Sequence, residues 1–261
     1  MKIKKNVPLR KHTSFGIGGQ AQYFVEARNK KQVIEAVKWA KENKLPFFIL
    51  GQGSNLLVSD KDCGGLVVKY GTPLAFYVSQ GVAWAAGIPG TIQGAVYGNA
   101  SAFGKSMKDS VKSVEVLDTK AGKTRIFKNK DCRFGYKKSI FQKKKHLIIL
   151  SVKIKTKKSD PDKIKKYFSY KKKTQPMEYP SAGSIFKNPQ HHYAGRLIEQ
   201  CGLKGKRIGG AKISEKHANF IVNLGGAKAV DVVKLIKLAK KAVKKKFKIV
   251  LQEEIQFLGK F

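Results

Sequence analysis

Three segments of the chain carry residue types at spacings that can do chemistry. The first is Leu50-Gly51-Gln52-Gly53-Ser54-Asn55-Leu56, which follows an apolar run. Glycines directly after a strand let amide hydrogens approach an anion closely, and Ser54 and Asn55 add side-chain donors. A plain tight turn accounts for the same residues, and no third glycine opens a helix as a dinucleotide fingerprint requires. The second segment, Gly87-Ile88-Pro89-Gly90-Thr91, continues through Gly94 to Asn99 and Ala100. Glycine and proline this dense set a fixed, exposed backbone path suited to a flat ring or a diphosphate, or else a bland connector. Two such segments in one domain point to a large phosphate-bearing cofactor. In the third, Pro180 to Pro189, Ser184 follows a glycine and precedes Ile185 and Phe186. These neighbours would hold its hydroxyl beside a dry pocket, with Lys187 and Asn188 able to grip an anionic substrate. An ordinary turn serine is the alternative reading.

The elements that must position these segments can be read from periodicity. Gln22 to Ala27 reads as a strand and is followed by a helix capped by Asn29, with Gln32 three residues on in a variant capping box. Val33, Ile34, Val37 and Ala40 share a helical face, and Pro46 lies beyond the end. Strands at Phe47 to Leu50 and Leu66 to Lys69 complete a small parallel unit, with the first glycine loop at a strand's carboxyl end. Ser113 to Leu117, Thr124 to Lys128 and His146 to Lys155 read as an antiparallel sheet turned at Ala121-Gly122. Gly81 to Gly104 between them has no amphipathic pattern. Lysine-dense Lys155 to Thr174 reads as a domain boundary. Beyond it come a helix with Ala194, Leu197, Ile198 and Cys201 on one face, closed by Gly202, and a strand from Ala218 to Asn223. A helix from Val230 to Phe247, with Val230, Val233, Ile236, Val243 and Phe247 on its stripe, precedes a last strand from Lys248 to Leu258. The fold class is α+β: residues 1–155 read as a small βαβ unit to about residue 70 and an antiparallel sheet after it. A smaller α/β domain spans 156–261.

The 261 residues are 42% hydrophobic and 27% charged, enough for a sizeable core. Lys+Arg 54 against Asp+Glu 17 gives a net charge of +37, which favours anionic partners but says nothing of fold. Lysine is spread along the whole chain, so its cluster on the last helix reads as a solvated face rather than a nucleic-acid patch. Cys63, Cys132 and Cys201 are odd in number, far apart and without zinc-ligand spacing, which fits a reducing compartment. The basic amino terminus is followed by no apolar stretch, and the apolar runs are strand-sized. A cytoplasmic monomer is expected, with no membrane insertion and no specific nucleic acid.

Read together, Thr13 to Gly19, Leu50 to Leu56, Gly87 to Thr91, Phe134-Gly-Tyr-Lys-Lys-Ser-Ile-Phe141, Gln175 to Pro189 and Ile213-Ser-Glu-Lys-His-Ala-Asn-Phe220 carry a resemblance. In this order they resemble the UDP-N-acetylenolpyruvylglucosamine reductase (UDP-N-acetylmuramate dehydrogenase) family over nearly the full length. The short passage from Ser151 to Pro180 resembles the subgroup without an extra substrate-covering loop. The resemblance implies non-covalent FAD, NADPH as electron donor, and a UDP-sugar enolpyruvyl ether reduced to UDP-N-acetylmuramate for peptidoglycan. It also implies that the βαβ unit and the antiparallel sheet of residues 1–155 are two lobes of one domain. It implies FAD contacts from Leu50 to Leu56, Gly87 to Thr91, Gly94, Asn99 and Ala100. Ser184 is implied as proton donor, with Glu254 and a cation, Lys137, on the carboxylate-enolate. Tyr136, Lys187, Asn188 and His217 are implied to touch substrate, although His217 by itself reads as an ordinary partly buried histidine. No metal is implied.

The chain departs from that pattern in three places. Lys137 stands where the family has arginine, keeping the charge but losing the planar fork. Glu253 stands where the family usually has proline, and strand parity groups Glu253, not Glu254, with Ile249, Leu251 and Ile255. A bulge would invert this parity. The stretch from Lys69 to Gly87 is much shorter than the family's, which predicts an exposed flavin, weaker binding or unpaired sheet edges. The alternative is a catalytically impaired relative that binds anionic polymers.

Overall fold

A computed structural model describes residues 1–261, which divide into two compact units. The first comprises residues 1–4, 23–52 and 65–170; the second comprises 5–22, 53–64 and 171–261.

In the first unit the helix Lys30–Glu42 starts where the sequence places it. Asn29 accepts from the Gln32 amide at 3.0 Å, and the Gln32 side chain reaches back to the Arg28 amide at 2.8 Å. Two residue sets four apart give this helix two buried faces. Ala36 and Ala40 pack on Val25, Leu66 and Val68, while Val33 and Val37 pack on Leu117, Ile148 and Leu150. The strands here are residues 23–26 of Gln20–Glu26, Phe47–Leu50 and residues 65–69 of Cys63–Lys69, with Phe47–Leu50 parallel to residues 66–69. The second sheet is antiparallel in the order Leu147–Ile154, Val111–Asp118, Lys123–Lys128. Its tight turn closes through Gly122, at φ 69°, whose amide meets the Asp118 carbonyl at 2.8 Å.

The stretch that the sequence marks as shortened is well packed. Pro73 bridges Thr91, Leu74 donates to the Gly90 carbonyl at 2.9 Å, and Ile92 donates to the Thr72 carbonyl at 2.9 Å. Short 3-10 turns at Leu74–Gln80 and Ala83–Ala85 then bury Leu74, Val82, Trp84 and Ala85 in the core shared with the second sheet. Periodicity gave no helix in Gly81 to Gly104, yet Ile92–Gly98 is helical, capped by the Thr91 hydroxyl on the Gly94 amide at 3.1 Å. It also gave none in the lysine-dense stretch. Pro161–Thr174 is a helix with proline at its first position, where a missing N–H costs nothing.

The second unit is built on an antiparallel sheet in the order Ser181–Ser184, Phe220–Asn223, Ala211–Ile213, Arg207–Ile208. The helix Ala194–Gln200 ends at Cys201, with Gly202 in the left-handed conformation at φ 70°, the expected C-terminal stop. The long helix Ala229–Phe247 buries Val232, Leu235, Ile236, Ala239 and Val243. Val230, assigned to the buried stripe from sequence, is 45% exposed instead. It lies in the first turn, where Asp60 caps the Ala229 and Val230 amides at 2.7 and 3.1 Å. The expected last strand is also corrected: only Gln256–Leu258 is regular, parallel to Leu56–Val58, with an isolated bridge at Glu253 before it. All three cysteines are free, and burial with Asp131 nearby pushes the Cys132 thiol up to about 12. No helix is long and apolar enough to cross a membrane.

Candidate active site

The first glycine loop crosses the division between the units, which falls between Gln52 and Gly53. Within the first unit, Gln52 accepts from the Gly90 amide at 2.9 Å, so the two glycine bends are tied to one another. A Cβ on Gly51 would lie 2.7 Å from the Thr91 hydroxyl, and one on Gly71 would lie 2.8 Å from Thr91 Cβ. Glycine at 51 and 71 is therefore needed to bring three main-chain segments together. At the far end of the Ile92–Gly98 helix, Asn99 is buried and left-handed at φ 45°. Tyr136 and Lys137 form the tip of a two-residue turn closed by Gly135 and Lys138, whose amides and carbonyls pair at 3.0 and 3.1 Å. Tyr136 is exposed, Lys137 is partly buried.

In the second unit Gly53 has φ 63°, and a Cβ there would lie 2.6 Å from the His12 carbonyl oxygen. The Gly53 carbonyl accepts from the Ser14 amide at 3.3 Å, while the Ser14 hydroxyl donates to the Ser181 carbonyl at 2.7 Å. Ser14 thus joins the loop to the strand that ends in Ser184. Asn55 extends the same framework: its side chain donates to the Glu254 carbonyl at 3.1 Å, and its carbonyl accepts from Gln256 at 3.0 Å.

Ser184 is half-buried and pairs with Phe220 across the sheet. On the other side of this segment, Lys187 donates to the Gln252 carbonyl at 2.9 Å and Phe186 bridges Glu253. The amides of Glu254 and Ile255 both point at the Ile185 carbonyl, at 2.8 and 3.4 Å. The two amides share one carbonyl, yet the alternation continues past them: Leu251 and Ile255 are buried, Gln252 and Gln256 exposed, and Glu253 and Glu254 both partly buried between them. The Glu253 carboxylate is taken by Lys240 at 2.6 Å. Asn188 accepts from the Ala194 amide at 3.0 Å and so orders the start of the next helix.

Sequence reasoning assigned no role to Asn219, which is 4% exposed. Its side-chain oxygen accepts from the Phe186 amide at 2.9 Å, its side-chain nitrogen donates to the Phe186 carbonyl at 2.8 Å, and its own carbonyl accepts from Ile185 at 2.9 Å. This one residue acts as an extra rung of sheet beside Ser184. The available signal was an asparagine next to a buried run, where an unpaired amide would be costly.

The Asn219 amide points at Nδ1 of His217 at 3.2 Å, which places the ring proton on Nε2. Burial lowers the His217 pKa from its ordinary value; a contact with its own backbone opposes the shift without cancelling it. In the unfolded chain the imidazole protonates near 6.5. Stability from this group is therefore complete above that pH and is lost as pH falls below it towards the lower folded value. Thermal melts should show Tm falling over this acid range less steeply for His217→Asn, which keeps an acceptor for the Asn219 amide. Identical slopes for parent and variant would remove His217 as the cause.

The first unit has the features a flavin dinucleotide needs. The amides of Gly51 and Gln52 donate in none of the turn, loop or cap hydrogen bonds. Gly94 and Gly98, one helical turn apart, leave bare main chain on one face: a Cβ at 98 would meet nothing within 4 Å, and at 94 only Thr91 Oγ1, at 3.3 Å. Free amides at one bend and open backbone beside the other fit a diphosphate and a flat ring.

Comparison with known proteins agrees. Residues 175–258 match the family described as UDP-N-acetylenolpyruvoylglucosamine reductase, C-terminal domain, and residues 21–75 match an FAD binding domain family. UDP-N-acetylenolpyruvoylglucosamine reductase of Caldanaerobacter subterraneus subsp. tengcongensis is 41% identical, over 99% of this chain and 94% of that protein. The enzyme of Anoxybacillus flavithermus is 39% identical, over 99% and 95%. The alignment to the first runs to 286 positions, more than the 261 residues present, so the relative has residues this chain lacks. The crystal structure of UDP-N-acetylenolpyruvylglucosamine reductase from Thermus caldophilus superimposes with a TM-score of 0.84, covering 99% of this chain and all of that one at 31% identity. With a serine strand anchored on both sides, a glycine cradle and full-length likeness in agreement, the chain belongs to the UDP-N-acetylenolpyruvoylglucosamine reductase family.

Proposed function

We infer that the protein reduces UDP-N-acetylglucosamine enolpyruvate to UDP-N-acetylmuramate with electrons from NADPH, a step of peptidoglycan precursor synthesis, acting as a cytoplasmic monomer. The observation that carries the assignment of roles is the double anchoring of Ser184–Lys187, by Asn219 on one side and by Gln252–Glu254 on the other. It sets a hydroxyl-bearing and a carboxylate-bearing residue on adjoining chain segments. FAD supplies, when bound, the two-electron relay between NADPH and the sugar ether. Main chain of Leu50 to Leu56, Gly87 to Thr91, Gly94 and Ala100 would hold it.

Reduction of the enolpyruvyl ether builds negative charge on its carboxylate and needs a proton at the carbon bearing oxygen. The Ser184 hydroxyl delivers that proton. The Lys137 ammonium holds the carboxylate-enolate, and Glu254 acts with it there. Tyr136, Lys187, Asn188 and His217 orient the substrate, and His217, neutral with its proton on Nε2, donates without adding charge. Residues 1–155 serve the cofactor and 156–261 the sugar. Nothing observed favours the alternative of an impaired polyanion binder, and the shortened stretch is packed rather than frayed.

Purified protein should carry flavin absorption, lose it anaerobically with NADPH, and regain it on adding the enolpyruvyl UDP-sugar. Colourless protein that FAD cannot reconstitute would overturn the assignment.

A further inference from the structure

Both ends of the Asn99 side chain bond within its own unit. Its nitrogen donates to the Gly135 carbonyl at 2.8 Å, and its oxygen accepts from the Lys108 amide at 3.0 Å. Gly135 opens the two-residue turn that carries Tyr136 and Lys137, so its carbonyl takes two donors, Asn99 and the Lys138 amide. A second tie lies just past the turn, where the Ser139 hydroxyl donates to the Tyr97 carbonyl at 2.6 Å. Lys137 itself is left-handed at φ 52°, a conformation that a lysine keeps only when its surroundings over-determine it. The residues that over-determine it here lie at the end of the Ile92–Gly98 helix, the same helix whose bare face fits the flavin.

We propose that Asn99 is a positioning residue for the Tyr136–Lys137 turn, setting where the Lys137 ammonium meets the substrate's developing charge, and that its side chain is not a ligand of FAD. This rests on the role given to Lys137 above. Asparagine is well suited to the position: it tolerates the left-handed backbone and carries a donor nitrogen and an acceptor oxygen on one short, stiff amide. The helix end thereby acts as a common reference for the cofactor cradle and for the cation.

Asn99→Gly tests this cleanly, because glycine keeps the left-handed backbone without strain and deletes only the side-chain ties. Asn99→Asp is the second variant; it retains the acceptor for Lys108 and turns an acceptor towards the Gly135 carbonyl. For both, FAD affinity by flavin fluorescence titration and the rate of flavin reduction by NADPH should stay within about twofold. Reoxidation by the enolpyruvyl UDP-sugar should slow about ten- to hundredfold, the scale expected of a misplaced group. Lys137→Met supplies the reference, and adding Asn99→Gly to it should cause no further loss. Weakened FAD binding in Asn99→Gly would make Asn99 a cofactor ligand and overturn the proposal. So would reoxidation at the parent rate, or a loss that adds to that of Lys137→Met. If Lys137→Met alone reoxidises at the parent rate, the fault lies with the role given to Lys137.

Discussion

Ser184→Ala is expected to leave flavin reduction by NADPH at the parent rate and to slow reoxidation by the UDP-sugar by about 10²–10⁴-fold, the range of a lost general acid. The asymmetry follows from where the residue stands. Ser184 ends a strand whose main-chain partners are Phe220 and, through Ile185, Asn219 on one side and, again through Ile185, Glu254 on the other. None of these bonds uses the hydroxyl, so alanine deletes one oxygen and leaves the ladder in place. In the roles inferred above, cofactor binding uses the glycine bends and has no need of this oxygen, whereas proton delivery to the substrate carbon depends on it. Stopped-flow absorbance of the flavin separates the two half-reactions, and equal parent-like rates in both would remove Ser184 as the donor.

Much of the fold was legible because its signals are local. The Asn29 cap, the Gly122 turn, the Gly202 stop and the strand Phe47–Leu50 each depend on a few neighbouring residues. The missed helices fail that condition in opposite ways. Ile92–Gly98 is about two turns long and has glycine at 94 and 98, so its buried stripe of Ile92, Ala95 and Val96 is too short to stand out from its surroundings; its cap and the hydrogen bond from the Gln93 side chain to the Leu150 carbonyl help to hold it. Pro161–Thr174 is so rich in lysine that Lys171 is its only fully buried residue, and its aromatic contact, Tyr167 on Phe103 at 4.2 Å, is made with a distant hairpin. The site divides along the same line. Glycine density and motif order picked out the candidate segments, but composition could not show that Gln52, Asn55 and Asn99 turn their side chains to the protein's own backbone. Nor could it show that Ser14 and Asn219, both inside recognised motifs, are the ties that hold the serine strand. Such pairings join residues far apart in the chain, and no period records them.

The conflict between Glu253 and Glu254 yields the second large effect. Glu254→Gln should slow sugar reduction by about 10²–10³-fold, as loss of a preorganised group does. Glu253→Gln should leave the rate unchanged and alter stability by about 0–1 kcal/mol, because its Lys240 pair is partly exposed on both sides, at 37% and 28%. A regular strand would have predicted the reverse, with the odd-numbered carboxylate beside buried Leu251 and Ile255. Against that count stands the helix Ala229–Phe247, which supplies a lysine, Lys240, that claims the Glu253 carboxylate. Measured together, the two substitutions separate a role in the site from a role in the packing: both are isosteric, both remove one charge, and they differ by one peptide unit. A slow Glu253→Gln beside a normal Glu254→Gln would mean that strand parity wins over the family pattern. The ion pair with Lys240 would then have to open before substrate is reduced.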